Sequence, residues 1–166
     1  GRALALNRRG DRAREVAVNL TNLATKRGQY DGALELYEEA LSARRETGDR
    51  RGEALDLENI GLLHPRWGDY PAALSSLAEA LAILSEMGPP TWRAEVRSDI
   101  AAVQAAMGNL RSALEVLDCA EREAEADGYL AADLALQRAY LLADLNDFEP
   151  AVEFYRKAKA GYGGEE

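Results

Sequence analysis

The segment RGQYDGALELYEEAL (27–41) returns forty residues later as WGDYPAALSSLAEAL (67–81). Gly28, Tyr30, Ala33, Leu34, Glu39, Ala40 and Leu41 fall on Gly68, Tyr70, Ala73, Leu74, Glu79, Ala80 and Leu81. Forty residues further on, MGNLRSALEVLDCAE (107–121) keeps Gly108, Leu110, Ala113, Leu114 and Ala120. A fourth copy, NDFEPAVEFYRKAKA (146–160), follows after 38 more, with Phe148, Ala151, Val152 and Ala158. Gly48, Gly88 and Gly128 form a second series at the forty-residue period. A chain that repeats itself at this interval stacks copies of one supersecondary unit, each burying its neighbour's apolar face.

Each unit reads as two helices. The first carries apolar residues at helical spacing, for example Val16, Leu20, Leu23 and Ala24, and stops at a glycine that tolerates the left-handed conformation of a helix end. The second begins near Tyr30, presents Ala33, Leu34, Tyr37, Ala40 and Leu41 on one face, and ends near Gly48. Asp11, Asp49 and Thr91 are placed to cap the helices that follow. The pattern predicts eight helices, roughly 12–27, 30–47, 50–66, 70–86, 91–107, 110–126, 130–145 and 148–160. Abundant Ala and Leu with few β-branched residues agree with this. The recurring alanines (Ala33, Ala73, Ala113, Ala151 and Ala40, Ala80, Ala120, Ala158) mark where helices approach closely, since a bulky side chain would push them apart. Tyr30, Tyr70, Leu110 and Phe148, just after each turn, are expected to wedge between neighbouring units.

Leu20, Ile60 and Ile100, the small residues Gly61, Ala101 and Ala139 beside that position, and Tyr37 and Tyr155 on second helices together resemble the tetratricopeptide repeat, TPR. The resemblance covers about residues 12–160. Thr21 and Arg138 depart from it at signature core positions, the terminal proline is missing, and the second helix is longer. The forty-residue form is similar to the variant in kinesin light chains and bacterial multidomain signalling regulators. The resemblance implies an all-α fold, a right-handed superhelical solenoid of about four TPR-like helix-turn-helix repeats. Residues 1–166 then form a single array: 1–10 the tail of a preceding helix, repeats at about 11–48, 49–88, 89–128 and 129–160, and a tail at 161–166. The chain opens on Gly1 without an initiator methionine, and the expectation is a piece of a larger protein.

HPRWGDYP (64–71) holds the single histidine, and looks at first like an active-site loop. Within the repeat it is a turn. Gly68 and Asp69 join two helices, and Pro71 falls in the first turn of the next, where its missing N–H costs nothing. Pro150 holds nearly the same place in the fourth unit. His64 is expected as a half-buried packing residue. Pro65 should free the carbonyl of Gly61, bending or ending its helix early and widening the groove locally.

In the TPR resemblance the first helix of each unit lines a concave groove. The residues placed there are Asn19, Asn22 and Lys26; Leu55, Asn59, Leu62 and Arg66; Glu95, Asp99 and Ala102; Gln137, Tyr140 and Asp144. Asn19, Asn59, Asp99 and Gln137 are successive equivalents. Asn and Gln offer a donor and an acceptor, so such a row suits the backbone of an extended peptide. A clamp for a C-terminal carboxylate is disfavoured, because Val18, Glu95 and Asp99 stand where basic residues would be needed. Glu95, Asp99 and Asp144 make the C-terminal half acidic, whereas Lys26 and Arg66 make the N-terminal half more basic. The expected ligand is a protein or peptide with a basic end and an apolar centre.

Other function classes fare worse. The net charge of −9 argues against direct nucleic-acid binding, which needs clustered Lys and Arg. No apolar run is long enough to span a membrane. With one His and one Cys, neither a metal site nor a Ser-His-Asp set is expected, no phosphate-cradling loop is present, and no cofactor or catalysis is predicted. A lone Cys119 suits a cytoplasmic setting. The expectation is a non-catalytic binding scaffold. The alternatives are a regulatory or sensor region of a bacterial transcriptional regulator or signalling ATPase, or a self-associating element that forms a homo-oligomer through its array ends, where Val152, Phe154 and Tyr155 lie on the last helix.

Overall fold

A computed structural model of the chain describes residues 15, 16, 18, 19, 22, 32–124 and 127–163. The helix expected at 12–27, the cap at Asp11, and Thr21, Lys26 and Tyr30 lie mainly or wholly outside these residues. The described chain holds seven α-helices and no strand. They fall in two compact units, divided between Glu86 and Met87.

The first unit contains α1 (Ala33–Thr47), α2 (Arg50–Leu63), a 3-10 turn at His64–Trp67, and α3 (Tyr70–Ser85). Helix α2 packs against both α1 and α3. Its approach to α3 depends on Gly61, where an added Cβ would lie 2.7 Å from Leu77 Cγ and 3.2 Å from the Ala73 carbonyl oxygen. Asp49 caps α2 by accepting from the Gly52 N–H at 3.1 Å, and Asp69 caps α3 through Ala72 in the same way. The α-helix gives way at His64, one residue before Pro65, as the missing N–H requires. Gly68, at φ 74°, closes the turn.

A buried ion pair ties α1 to α2. Arg44 Nε lies 3.0 Å from Asp56 Oδ2, in ion contact without the alignment of a hydrogen bond, and the two side chains are 5% and 0% exposed. Gly52 makes room for it, since a Cβ there would sit 2.2 Å from an Arg44 guanidinium nitrogen. Nearby, Arg45 reaches Glu53 at 2.9 Å and also Glu79 of α3. The hydrogen bond to Glu53 raises the Arg45 pKa most, against a smaller lowering by burial.

The second unit contains α4 (Pro90–Ala106), α5 (Leu110–Glu123), α6 (Gly128–Asp144) and α7 (Phe148–Gly161). Its hairpins are α4–α5 and α6–α7, and α5 packs against α6. Ala94, Ala101, Ala113, Leu117, Ala120, Leu134 and Leu141 form the core. In both units every recurring alanine is buried, as close helix approach demands. The fourth turn lacks a glycine but keeps the left-handed residue: Asn146 has φ 62° where Gly108 has 82°.

Three details differ from the sequence expectation. Thr91 does not cap α4; Pro89 holds that place with extended backbone, and Thr91 is already helical. Asp127 instead caps α6 through the N–H groups of Tyr129 and Leu130, unanticipated in the sequence. Phe148 is 61% exposed rather than wedged, because no described helix covers its side of α7; Tyr70 and Leu110 are half-buried.

Arg138, the apparent misfit of the fourth repeat, is neutralised rather than orphaned. Its guanidinium donates to Glu121 at 2.8 Å and to Asp118, both on α5, and lies 5.2 Å above the Phe154 ring of α7. Burial lowers its pKa, but the two carboxylates outweigh that and raise it.

Candidate functional site

Helix α2 buries one face and leaves another in water. Leu57 and Ile60 are buried, whereas Leu55 and Leu62, seven residues apart, are 46% and 44% exposed. Asn59 lies between them on that outer face, and its amide nitrogen donates to the Leu55 carbonyl at 2.8 Å. Arg66 is exposed one turn further on. Asn19 and Asn22 are helical and exposed, and Lys26 is outside the described residues. A hollow of about 290 Å³ in the first unit is lined by Val18, Asn22, Arg44, Asp49, Arg51 and Leu55. It brings together Asn22 and Leu55 of the expected groove, and adds Arg44 and Arg51. Neither arginine was placed in the groove from the sequence: Arg44 arrives from a second helix, and Arg51 lies in the first turn of α2, ahead of the residues placed there.

In the second unit the expected residues again lie on first helices. Glu95 and Ala102 of α4 are exposed and Asp99 is half-buried. On α6, Tyr140 is 62% exposed, Asp144 is exposed and Gln137 is half-buried. Gln137 is already engaged: its amide nitrogen donates to the Ser98 carbonyl at 3.0 Å, and its amide oxygen accepts from the Ser98 hydroxyl at 2.9 Å. This pair sets α4 beside α6 and leaves the Gln137 amide less available to a ligand backbone.

The outer face of α6 also holds Tyr129 and Asp133, at helical spacing from Tyr140. Tyr162 stands edge-on to Tyr129, with ring centroids 5.4 Å apart, and donates its hydroxyl to Asp133. That hydrogen bond is the main reason its pKa is pushed up to about 12. The face therefore alternates tyrosine and carboxylate.

His64 is half-buried and meets Trp67 edge-on, with centroids 6.3 Å apart. Among the described residues, no group of three His, Cys, Asp or Glu side chains could hold a metal ion. No described helix is long and apolar enough to cross a membrane.

Profiles of the tetratricopeptide repeat match residues 11–86 and again 132–160, together more than half of the sequence. The chain belongs to the tetratricopeptide-repeat family. Solved structures of similar fold agree. BtubC (BKLC) from P. vanneervenii superposes with a TM-score of 0.78 at 18% identity, over 89% of this chain and 63% of that one. A Podosopora anserina protein with nearly identical TPR-like repeats gives 0.69 at 16% identity, covering 88% and 74%. MamA gives 0.60 at 19% identity, covering 82% and 70%. This TPR chain thus spans under two thirds of BtubC's length. No curated protein matches its sequence.

Proposed function

We propose that this TPR chain is a non-catalytic, cytoplasmic scaffold that binds a segment of another protein along its first-helix faces, through Asn19, Asn22, Lys26, Asn59, Leu62, Arg66, Asp99, Ala102, Gln137 and Tyr140. A TPR array is a protein-interaction fold, which supports the general role. The observation that carries the finer reading is the pair of leucines, Leu55 and Leu62, held in water on either side of Asn59. Apolar anchors beside an amide suit a ligand that presents both side chains and backbone.

Taken by itself, the second unit suits basic residues of a ligand. Asp99, Asp133 and Asp144 supply negative charge there, and Tyr129 and Tyr140 supply aromatic faces for Lys or Arg. The test is calorimetric titration of two synthetic peptides with the same leucine-rich centre, one ending in Lys and Arg, the other in Glu. The native chain should prefer the basic peptide, and Asp99→Lys should weaken that preference by about tenfold. Equal affinity for both peptides, or an unchanged preference in the variant, refutes the electrostatic part.

A further inference from the structure

The last described helix, α7, leaves in water residues whose described equivalents in earlier repeats are buried or half-buried. Tyr155 corresponds to Tyr37, Leu77 and Leu117, which are 4%, 0% and 0% exposed, yet Tyr155 is 54% exposed. Val152 is 48% exposed where Leu34, Leu74 and Leu114 are half-buried, and Phe148 is 61% exposed where Tyr70 and Leu110 are half-buried. In the third repeat the cover is visible, since Leu117 shares a core with Leu134 and Leu141 of α6, the first helix of the next repeat. The face of α7 is therefore built to be covered by another helix.

Phe148, Val152 and Tyr155 stand at i, i+4 and i+7, one continuous apolar stripe. Its charged flank is polarised along the helix: Glu149 and Glu153 lie toward the start, Arg156 and Lys159 toward the end, and all four are exposed. None of the four forms an ion pair with another described residue, whereas Lys157 is turned away, 5.8 Å from the Phe154 ring.

We infer that α7 pairs antiparallel with α7 of a second copy of this chain, stripe against stripe, about a two-fold axis between Val152 and Tyr155. A two-fold axis places Val152 against the partner copy's Tyr155 and brings the acidic start of each helix beside the basic end of the other, Glu149 toward Lys159 and Glu153 toward Arg156. A parallel pairing would set like charges together. The stripe is one helix long, so the interface is smaller than that of a permanent dimer and the association is concentration-dependent. This inference is independent of ligand binding on the first-helix faces, because α7 is a second helix.

Sedimentation equilibrium of the whole chain tests it, with circular dichroism as the control for folding. The native chain should form a dimer as concentration rises. Tyr155→Glu should weaken dimerisation by at least about tenfold, the size expected for a central aromatic anchor. Charge swaps test the register. The double variant Glu149→Lys, Glu153→Lys should be monomeric, as should Arg156→Glu, Lys159→Glu, and a mixture of the two should form a one-to-one heterodimer. A native chain that stays monomeric at millimolar concentration overturns the inference. So does a dimer indifferent to Tyr155→Glu, which would be using another surface, and so does a mixture that fails to pair.

Discussion

Removing Asp56 should be the most damaging single change in the first unit. Its carboxylate is fully buried and stands 3.0 Å from Arg44 Nε, and the Arg44 side chain is itself only 5% exposed. Arginine does not give up its proton at accessible pH, so Asp56→Ala leaves a positive charge in the protein interior without the carboxylate 3.0 Å from it. Breaking one side of such a pair costs about 3–5 kcal/mol. For a chain of this size each kcal/mol lowers the melting temperature by about 2–4 °C, so a loss of roughly 10 °C is expected. The loss should fall on the first unit. Thermal unfolding followed by circular dichroism, with Trp67 and Trp92 fluorescence read beside it, should show an early step that the native chain lacks. The double variant Arg44→Met, Asp56→Leu removes both charges and should recover most of the loss, because an apolar pair of similar volume needs no desolvation. A single variant that melts within about 2 °C of the native chain, where a 3–5 kcal/mol cost predicts far more, refutes the reasoning. A double variant that is no better than the single does the same.

Three further predictions can be checked directly. Gly61→Ala should destabilise by about 1–3 kcal/mol in urea titration, since its Cβ would lie 2.7 Å from Leu77 Cγ, whereas Ala101→Gly at the equivalent site should cost only about 1 kcal/mol through helix propensity. Pro65→Ala should change the affinity of the basic peptide while moving stability by no more than about 0.5 kcal/mol; a large stability change with unaltered binding contradicts that. Tyr162 should ionise near 12 in absorbance titration, and Tyr162→Phe should remove that step. Its pKa is raised above the ordinary value of about 10, so the bond to Asp133 contributes its full stability below pH 10 and loses it as pH rises from 10 to about 12.

The helices were legible because two periods are superposed in the sequence. The forty-residue repeat places the turns, and the helical spacing inside it, with alanine at each close approach, places the buried face. Every described helix of the structure corresponds to one expected from those signals, with both ends within three residues of the expected ones. Even so, local chemistry set some ends differently. Pro65 stops α2 at Leu63, and Asp127 rather than a third-repeat glycine governs where α6 begins.

Contacts between helices were not legible. Arg44 and Asp56 are twelve residues apart, and nothing in either stretch announces that they meet. Likewise, Gln137 fits a row of equivalent amides by position, yet it is tied to Ser98, 39 residues away. Arg138 breaks the apolar signature, and its partners Asp118 and Glu121 lie on the preceding helix, where sequence shows only a charged surface. Helical periodicity assigns a residue to a face; it does not say which side chain of a neighbouring helix it meets.

The central claim is that the first-helix faces bind a protein segment, and selection from a displayed library of random peptides tests it most directly. The native chain should be compared with the triple variant Asn19→Ala, Asn59→Ala, Tyr140→Ala, once both show equal helicity. The account predicts that the native chain enriches peptides with an apolar centre and a basic end, and that the variant retains them at least about tenfold more weakly. Equal retention by the variant, or no enrichment by the native chain, would contradict it.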